Sequence, residues 1–148
     1  SKYHNSTFYD LDAGIEKRFN LTIKEIFKEY GEEKFREVES TMLAETENLV
    51  NSVISTGGGI VISNTNREFL KKKRVYFLNN SVEILFERAT KKREQRPLLK
   101  NITLYEFKSI YKNRMKLYQE CANITLNTEN KSINETVEEI SNHEKFSF

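Results

Sequence analysis

Short runs of β-branched and aromatic residues alternate along this chain with longer segments of helical period, and that alternation argues for an α/β fold. The strand candidates are Thr7–Asp10, Ser52–Ser55, Arg74–Leu78 and Asn123–Asn127. Helical patterns fill the intervals at Ala13–Phe19, Thr22–Tyr30, Glu32–Leu49, Asn66–Lys72, Val82–Lys92 and Thr103–Glu120, with a last one at Ile133–Asn142. Thr22 precedes Glu25 by three residues and Thr103 precedes Glu106 by three, both in the capping-box pattern. Gly31 stands where a helix end needs a left-handed residue. No repeat, low-complexity tract or linker interrupts the series. The 148 residues therefore read as one domain, long enough to bury a core.

Composition removes several function classes. The net charge of +2 and the apolar fraction of 37% favour neither a nucleic-acid-binding surface nor disorder. The charged residues, 31% of the chain, are mixed in sign and read as a solvated surface. No apolar run approaches the ~20 residues that a membrane span needs. One cysteine, Cys121, allows no internal disulfide, so a reducing, cytoplasmic setting is expected. The Asn-x-Ser/Thr triplets at Asn5, Asn101 and Asn123 are read as chance in an Asn-rich chain.

Two segments carry candidate chemistry at strand ends. In Phe8-Tyr9-Asp10-Leu11-Asp12, strand alternation would put Asp10 and Asp12 on one side, at the carboxyl end where α/β sheets bind ligands. Two carboxylates there suit a metal ion, a substrate hydroxyl, or one of each. Alternatively Asp12 is the N-cap of the helix that follows. In Val53-Ile54-Ser55-Thr56-Gly57-Gly58-Gly59 a strand runs into three glycines, which let backbone approach a ligand and offer N–H donors. A tight strand-to-helix turn would need the same glycines. Ser55 lies at that strand's end, within reach of a metal-bound water.

Charges set inside apolar stripes are sharper signals, because a buried charge is costly unless it is paired or meets a ligand. On Glu32–Leu49 the inward face is Phe35, Val38, Met42, Leu43 and Leu49, with Glu39 inside it and Arg36 on its flank. On Thr103–Glu120 the apolar arc is Leu104, Phe107, Ile110, Tyr111, Leu117 and Tyr118, with Arg114 in its middle. Two inward arginines suggest a clamp for a small carboxylate. An internal Arg36–Glu39 pair and a structural salt bridge at Arg114 are the plainer readings. In the basic segment, Arg88 and Lys91-Lys92-Arg93 read as a solvated face. Arg96 differs, since Pro97 stiffens the chain after it and Leu98-Leu99 can dock it. That suits a lid carrying an arginine over a phosphoryl group.

Together these pieces resemble the shikimate kinases, in the nucleoside-monophosphate-kinase-like group of P-loop folds. The matching stretches are Asp10-Leu11-Asp12 with Ile15-Glu16, Ile26-Phe27 followed by Gly31-Glu32 and Phe35-Arg36-Glu37-Val38-Glu39, Ser55-Thr56-Gly57-Gly58-Gly59, Arg96-Pro97-Leu98-Leu99, and Arg114 before Leu117-Tyr118. They agree in order and spacing from about Phe8 to Thr128. The resemblance implies a three-layer sandwich on a parallel sheet. It also implies a single kinase domain over 1–148, with the acceptor-binding region about 12–60 and the lid about 91–103. The implied reaction is transfer of the ATP γ-phosphate to the 3-hydroxyl of shikimate, with Mg2+. By the same resemblance Asp12 binds the ring hydroxyls and polarises the attacking one, and Arg36 and Arg114 hold the carboxylate. Glu39 orients Arg36, and Gly57, Gly58 and Gly59 contact a ring hydroxyl. Asp10 and Ser55 hold magnesium through its waters, Arg96 reaches the transferring phosphate, and Lys131 lines the adenine. The partners expected are shikimate and ATP, with no nucleic acid, no membrane and a monomeric state.

The family's first elements, a strand and a G-x-x-x-x-G-K-[ST] loop, have no counterpart here. The five glycines are Gly14, Gly31, Gly57, Gly58 and Gly59, none followed by Lys-Ser/Thr. The resemblance implies strand order 2-3-1-4-5, in which that first strand is central. The expectation is an ordinary enzyme of which this chain is a part. A non-catalytic shikimate-binding module is the alternative. A gluconate-type kinase fits less well, given the inward arginine pair and the Gly57–Gly59 spacing.

Overall fold

A computed structural model describes residues 6–91 and 101–145. The order is β1 (Thr7–Asp10), α1 (Leu11–Phe19), α2 (Ile23–Glu45), β2 (Ser52–Ser55), α3 (Asn64–Leu70), β3 (Tyr76–Asn79), α4 (Val82–Thr90), α5 (Leu104–Cys121), β4 (Ile124–Asn127) and α6 (Ile133–Lys145). Short 3-10 turns sit at Thr46–Asn48 and Ile60–Ile62. This is an α/β fold with parallel strands. β1 pairs with β2, so that Asp10 lies opposite Ser55, and β3 pairs with β4, so that Asn79 lies opposite Asn127. Among the described residues these are two separate two-stranded sheets, β1-β2 and β3-β4.

Local chemistry sets the element ends. Both capping boxes form, at Thr22 with Glu25 and at Thr103 with Glu106. Gly31 breaks α2 into two helical segments with φ 80° and ψ 173°, a conformation that only glycine adopts without strain. The second segment stops at Glu45 and does not run on to Leu49. Thr46 turns its hydroxyl back onto the Leu43 carbonyl at 2.6 Å, and local side-chain bonding of this kind competes with helix continuation. Leu49 is consequently 42% exposed and no part of the core, contrary to its place in the apolar stripe. β3 begins at Tyr76, two residues later than expected. The Asn123 side chain takes the Val75 N–H at 2.7 Å, a donor that a strand partner would otherwise satisfy.

The core is one cluster containing Leu11 and Ile15 of α1, Ile26, Phe35, Met42 and Leu43 of α2, Ile60 and Val61, Leu70 of α3 and Cys121 of α5. It locks the two segments of α2 and the turn after β2 against α5. Arg67 on α3 helps hold that turn, donating to the carbonyls of Val61 at 2.8 Å and Ile62 at 3.0 Å. Glu120 at the end of α5 pairs with Lys71 at 2.6 Å and with Arg67 at 3.5 Å, tying α5 to α3. On the other face of the β1–β2 pair, the register partners Phe8 and Val53 are 58% and 45% exposed.

Candidate active site

The site lies at the carboxyl ends of β1 and β2, where α1, α2, the glycine turn and α5 meet. Its first residues do not sit as strand alternation implies. β1 ends at Asp10, whose Oδ1 accepts the Ala13 N–H at 3.0 Å and so caps α1. The cap is therefore Asp10, not Asp12. Asp12 falls in the first turn of α1, exposed, where the helix dipole favours a carboxylate. The two carboxylates thus leave the chain in different directions, one serving the helix and one facing the site.

Three consecutive glycines make room for three different side chains. A carbon added at Gly57 would lie 3.6 Å from both Asp12 carboxylate oxygens, an ordinary contact. At Gly58 it would lie 3.1 Å from the Tyr118 hydroxyl. At Gly59 it would lie 2.5 Å and 2.7 Å from the two terminal nitrogens of Arg36, closer than any real contact. The glycine turn is therefore a floor against which Asp12, Tyr118 and Arg36 are laid.

Arg36 is held from two sides. Its Nη1 donates to Glu39 at 2.8 Å, and Glu32 accepts from the other edge of the guanidinium at 3.3 Å. Its Cζ sits 5.2 Å from the Phe35 ring centroid. Glu39 is 2% exposed, which is why a carboxylate in an apolar stripe was conspicuous in the sequence. Burial raises the pKa of Glu39 above the usual carboxylate range, while the hydrogen bond and charge of Arg36 oppose that rise. The Asp12 carboxylate pushes the pKa further up, and the Arg114 guanidinium pulls it down. One buried carboxylate thus senses Arg36, Asp12 and Arg114 together, so the three groups share a single electrostatic environment.

The wider chain matches known proteins along its length. The shikimate kinase family model matches residues 1–144. A shikimate kinase of Dictyoglomus turgidum is 40% identical over 144 residues, 95% of this chain and 83% of that protein. The chain belongs to the shikimate kinase family. A Clostridium botulinum member is 42% identical over 130 residues, 86% of this chain and 76% of the relative. The structure of the Acinetobacter baumannii shikimate kinase in complex with shikimate superposes with a TM-score of 0.83 at 31% identity, covering 96% of this chain and 82% of that one.

Of the positions singled out by likeness to shikimate kinases, Asp12 lies beside Gly57 and Arg36 lies against Gly59 and on Glu39, while Arg114 is near enough for its charge to lower the pKa of Glu39. Asp10 and Ser55 are opposite one another in register at the adjoining strand ends. Lys131 lies elsewhere, beyond β4, with its ammonium on Glu139 at 2.6 Å. Arg96 lies outside the described residues. Sequence reasoning placed Tyr118 in an apolar arc and in the stretch that resembles the family after Arg114, with no role of its own. Its hydroxyl donates to the Gly58 carbonyl at 2.8 Å, a contact across sixty residues of chain that no local pattern announces.

The close packing at Gly59 yields a first prediction. The atom that Gly59→Ala would strike is the far end of a flexible side chain, so the fold should survive while the guanidinium of Arg36 is displaced. We expect the protein to stay folded and shikimate affinity to fall at least tenfold, as for a lost charged contact of ~1.5–3 kcal/mol. Calorimetric titration with shikimate would check it, and unchanged affinity would count against this placement of Arg36.

Proposed function

We propose that this chain phosphorylates shikimate, using ATP as the phosphoryl donor. The observation that carries the reading is the placement of the Arg36 guanidinium and the exposed Asp12 carboxylate against one glycine turn, with Arg114 acting on the same buried Glu39, in a chain of the shikimate kinase family. Arg36 and Arg114 form a divided clamp for the substrate carboxylate, with Glu39 and Glu32 fixing the direction of Arg36. Backbone donors of Gly57, Gly58 and Gly59 meet a ring hydroxyl. Asp12 accepts the proton of the 3-hydroxyl as its oxygen attacks the γ-phosphorus, the bond to the β–γ bridging oxygen breaks, and ADP leaves. Catalysis here is chiefly positioning, since a phosphoryl group in flight needs little covalent help.

The Mg2+ that such transfers use fits Asp10 and Ser55 through its own waters. Asp10 keeps acceptor capacity beyond its helix cap, and Ser55 stands opposite it. Among the described residues no group of three or more His, Cys, Asp or Glu could hold a metal ion. When bound, the ion would neutralise charge on the phosphates. Arg96 is assigned to the transferring phosphate on sequence alone, within a lid of about 91–103, and the acceptor-binding region is about 12–60 of a single kinase domain over 1–148. Lys131 would meet the adenine along its alkyl stem while its ammonium stays on Glu139. A monomer in the cytoplasm is the natural setting. No helix among the described residues is long and apolar enough to cross a membrane.

Arg114→Ala in the native enzyme tests the clamp. A charged fork contact of ~1.5–3 kcal/mol predicts at least a tenfold loss of shikimate affinity with ATP affinity unaltered. Shikimate binding equal to that of the parent protein would remove the central support of the assignment.

A further inference from the structure

We propose that Tyr118 is a positioning residue for the acceptor site, its hydroxyl fixing the distance and orientation between the glycine turn and Arg114. The inference rests on the acceptor-site reading above. Residues 111, 114 and 118 lie on one face of α5, because steps of three and seven residues return a helix close to the same direction. Tyr111 donates its hydroxyl to the Asn79 side chain at the carboxyl end of β3. Tyr118 donates to the Gly58 carbonyl at 2.8 Å, just beyond β2. Arg114 is therefore suspended between two phenolic tethers, one on each strand pair. Burial raises the pKa of Tyr111 above the ordinary phenol value, which keeps it a proton donor.

The Tyr118 contact also acts within the turn. The Gly58 carbonyl and the Gly59 N–H belong to one planar trans peptide and point in opposite directions. Pinning the oxygen thus aims the donor. The Tyr118 ring is stacked on Phe77 of β3, with centroids 4.8 Å apart and planes at 22°, so the hydroxyl is presented from a rigid base. Helix α5 has other anchors in the ion pairs of Glu120 with Lys71 and Arg67. Loss of the hydroxyl alone leaves those pairs and the ring stack in place. What changes is the register between a backbone donor and a guanidinium that grip the same small molecule.

Tyr118→Phe in the native enzyme is the test, read by calorimetry with shikimate and by steady-state kinetics in both substrates. We expect the Kd and KM for shikimate to rise about fivefold, the loss of one neutral hydrogen bond. The KM for ATP, kcat and the thermal midpoint should stay close to those of the parent. A purely structural hydroxyl would instead lower the midpoint and affect both substrates alike, and that result overturns the proposal. Gly58→Ala gives a second reading. Its added carbon meets the Tyr118 hydroxyl at 3.1 Å, so its cost in shikimate affinity should shrink when it is combined with Tyr118→Phe. Strict additivity of the two changes also overturns it. Arg114→Ala measured alongside separates the levels: if it weakens shikimate binding while Tyr118→Phe does not, the positioning role fails and the acceptor site stands. If neither matters, the acceptor-site reading itself fails.

Discussion

Asp12→Asn in the native enzyme should lower kcat by about 10²–10⁴, the usual range for losing a positioned proton acceptor. Shikimate and ATP should still bind. The side chain is exposed in the first turn of α1 and lies beside Gly57, so the isosteric amide should fit without disturbing the core. An amide can still accept a hydrogen bond from a ring hydroxyl but cannot take its proton. The loss should therefore appear in turnover and not in KM. Single-turnover phosphoryl transfer, measured with both substrates saturating, is the direct check. A rate within threefold of the parent would leave Asp12 as a binding group at most.

Replacing Arg36 should show the second large effect, in stability as well as binding. Arg36→Met keeps the stem of the side chain but strips Glu39 of its main counter-charge, leaving a carboxylate that is 2% exposed with burial and Asp12 both opposing its charge. Breaking a buried pair from one side costs ~3–5 kcal/mol, and the lower end applies here because the Arg36 side chain is 20% exposed. The sign of the pH dependence follows from the raised pKa of Glu39. A native carboxyl that holds its proton where the unfolded chain releases it stabilises the fold at low pH, and that advantage disappears as pH rises through the native value. Arg36 offsets this in the parent protein. The variant should therefore lose more stability at pH 8 than at pH 5 in urea unfolding, and adding Glu39→Gln should restore much of it. A pH-independent loss, with no rescue by the glutamine, would mean that the damage lies in packing.

Much of the fold was legible because its signals are local. Capping boxes at Thr22 and Thr103, the break at Gly31 and the alternating strands each depend on neighbours within a few residues. The candidate site was legible for a different reason. Glu39 and Arg114 violate the apolar stripes that surround them, and a violated stripe points inward at something polar. The misreadings share one cause, which is that short polar side chains choose backbone partners that a period cannot foresee. Asp10 took the Ala13 N–H and began α1 at Leu11, so Asp12 was carried off the strand. Thr46 took the Leu43 carbonyl and put Leu49 into solvent. Tyr118 was hidden because its partner is a backbone atom sixty residues earlier, and a hydroxyl on an apolar arc looks the same whether or not it finds one.

The cap at Asp10 confounds a common experiment. Its carboxylate holds the opening turn of the helix on which Asp12 rides, only two residues further along. An alanine at this position would remove a proposed metal contact and at the same time unfasten the carboxylate proposed to take the proton, and a single assay would merge the two defects. Asparagine caps a helix about as well as aspartate, so the amide variant isolates the missing charge. Any phenotype shared by both substitutions belongs to the lost charge, and the excess in the alanine protein belongs to the loosened turn.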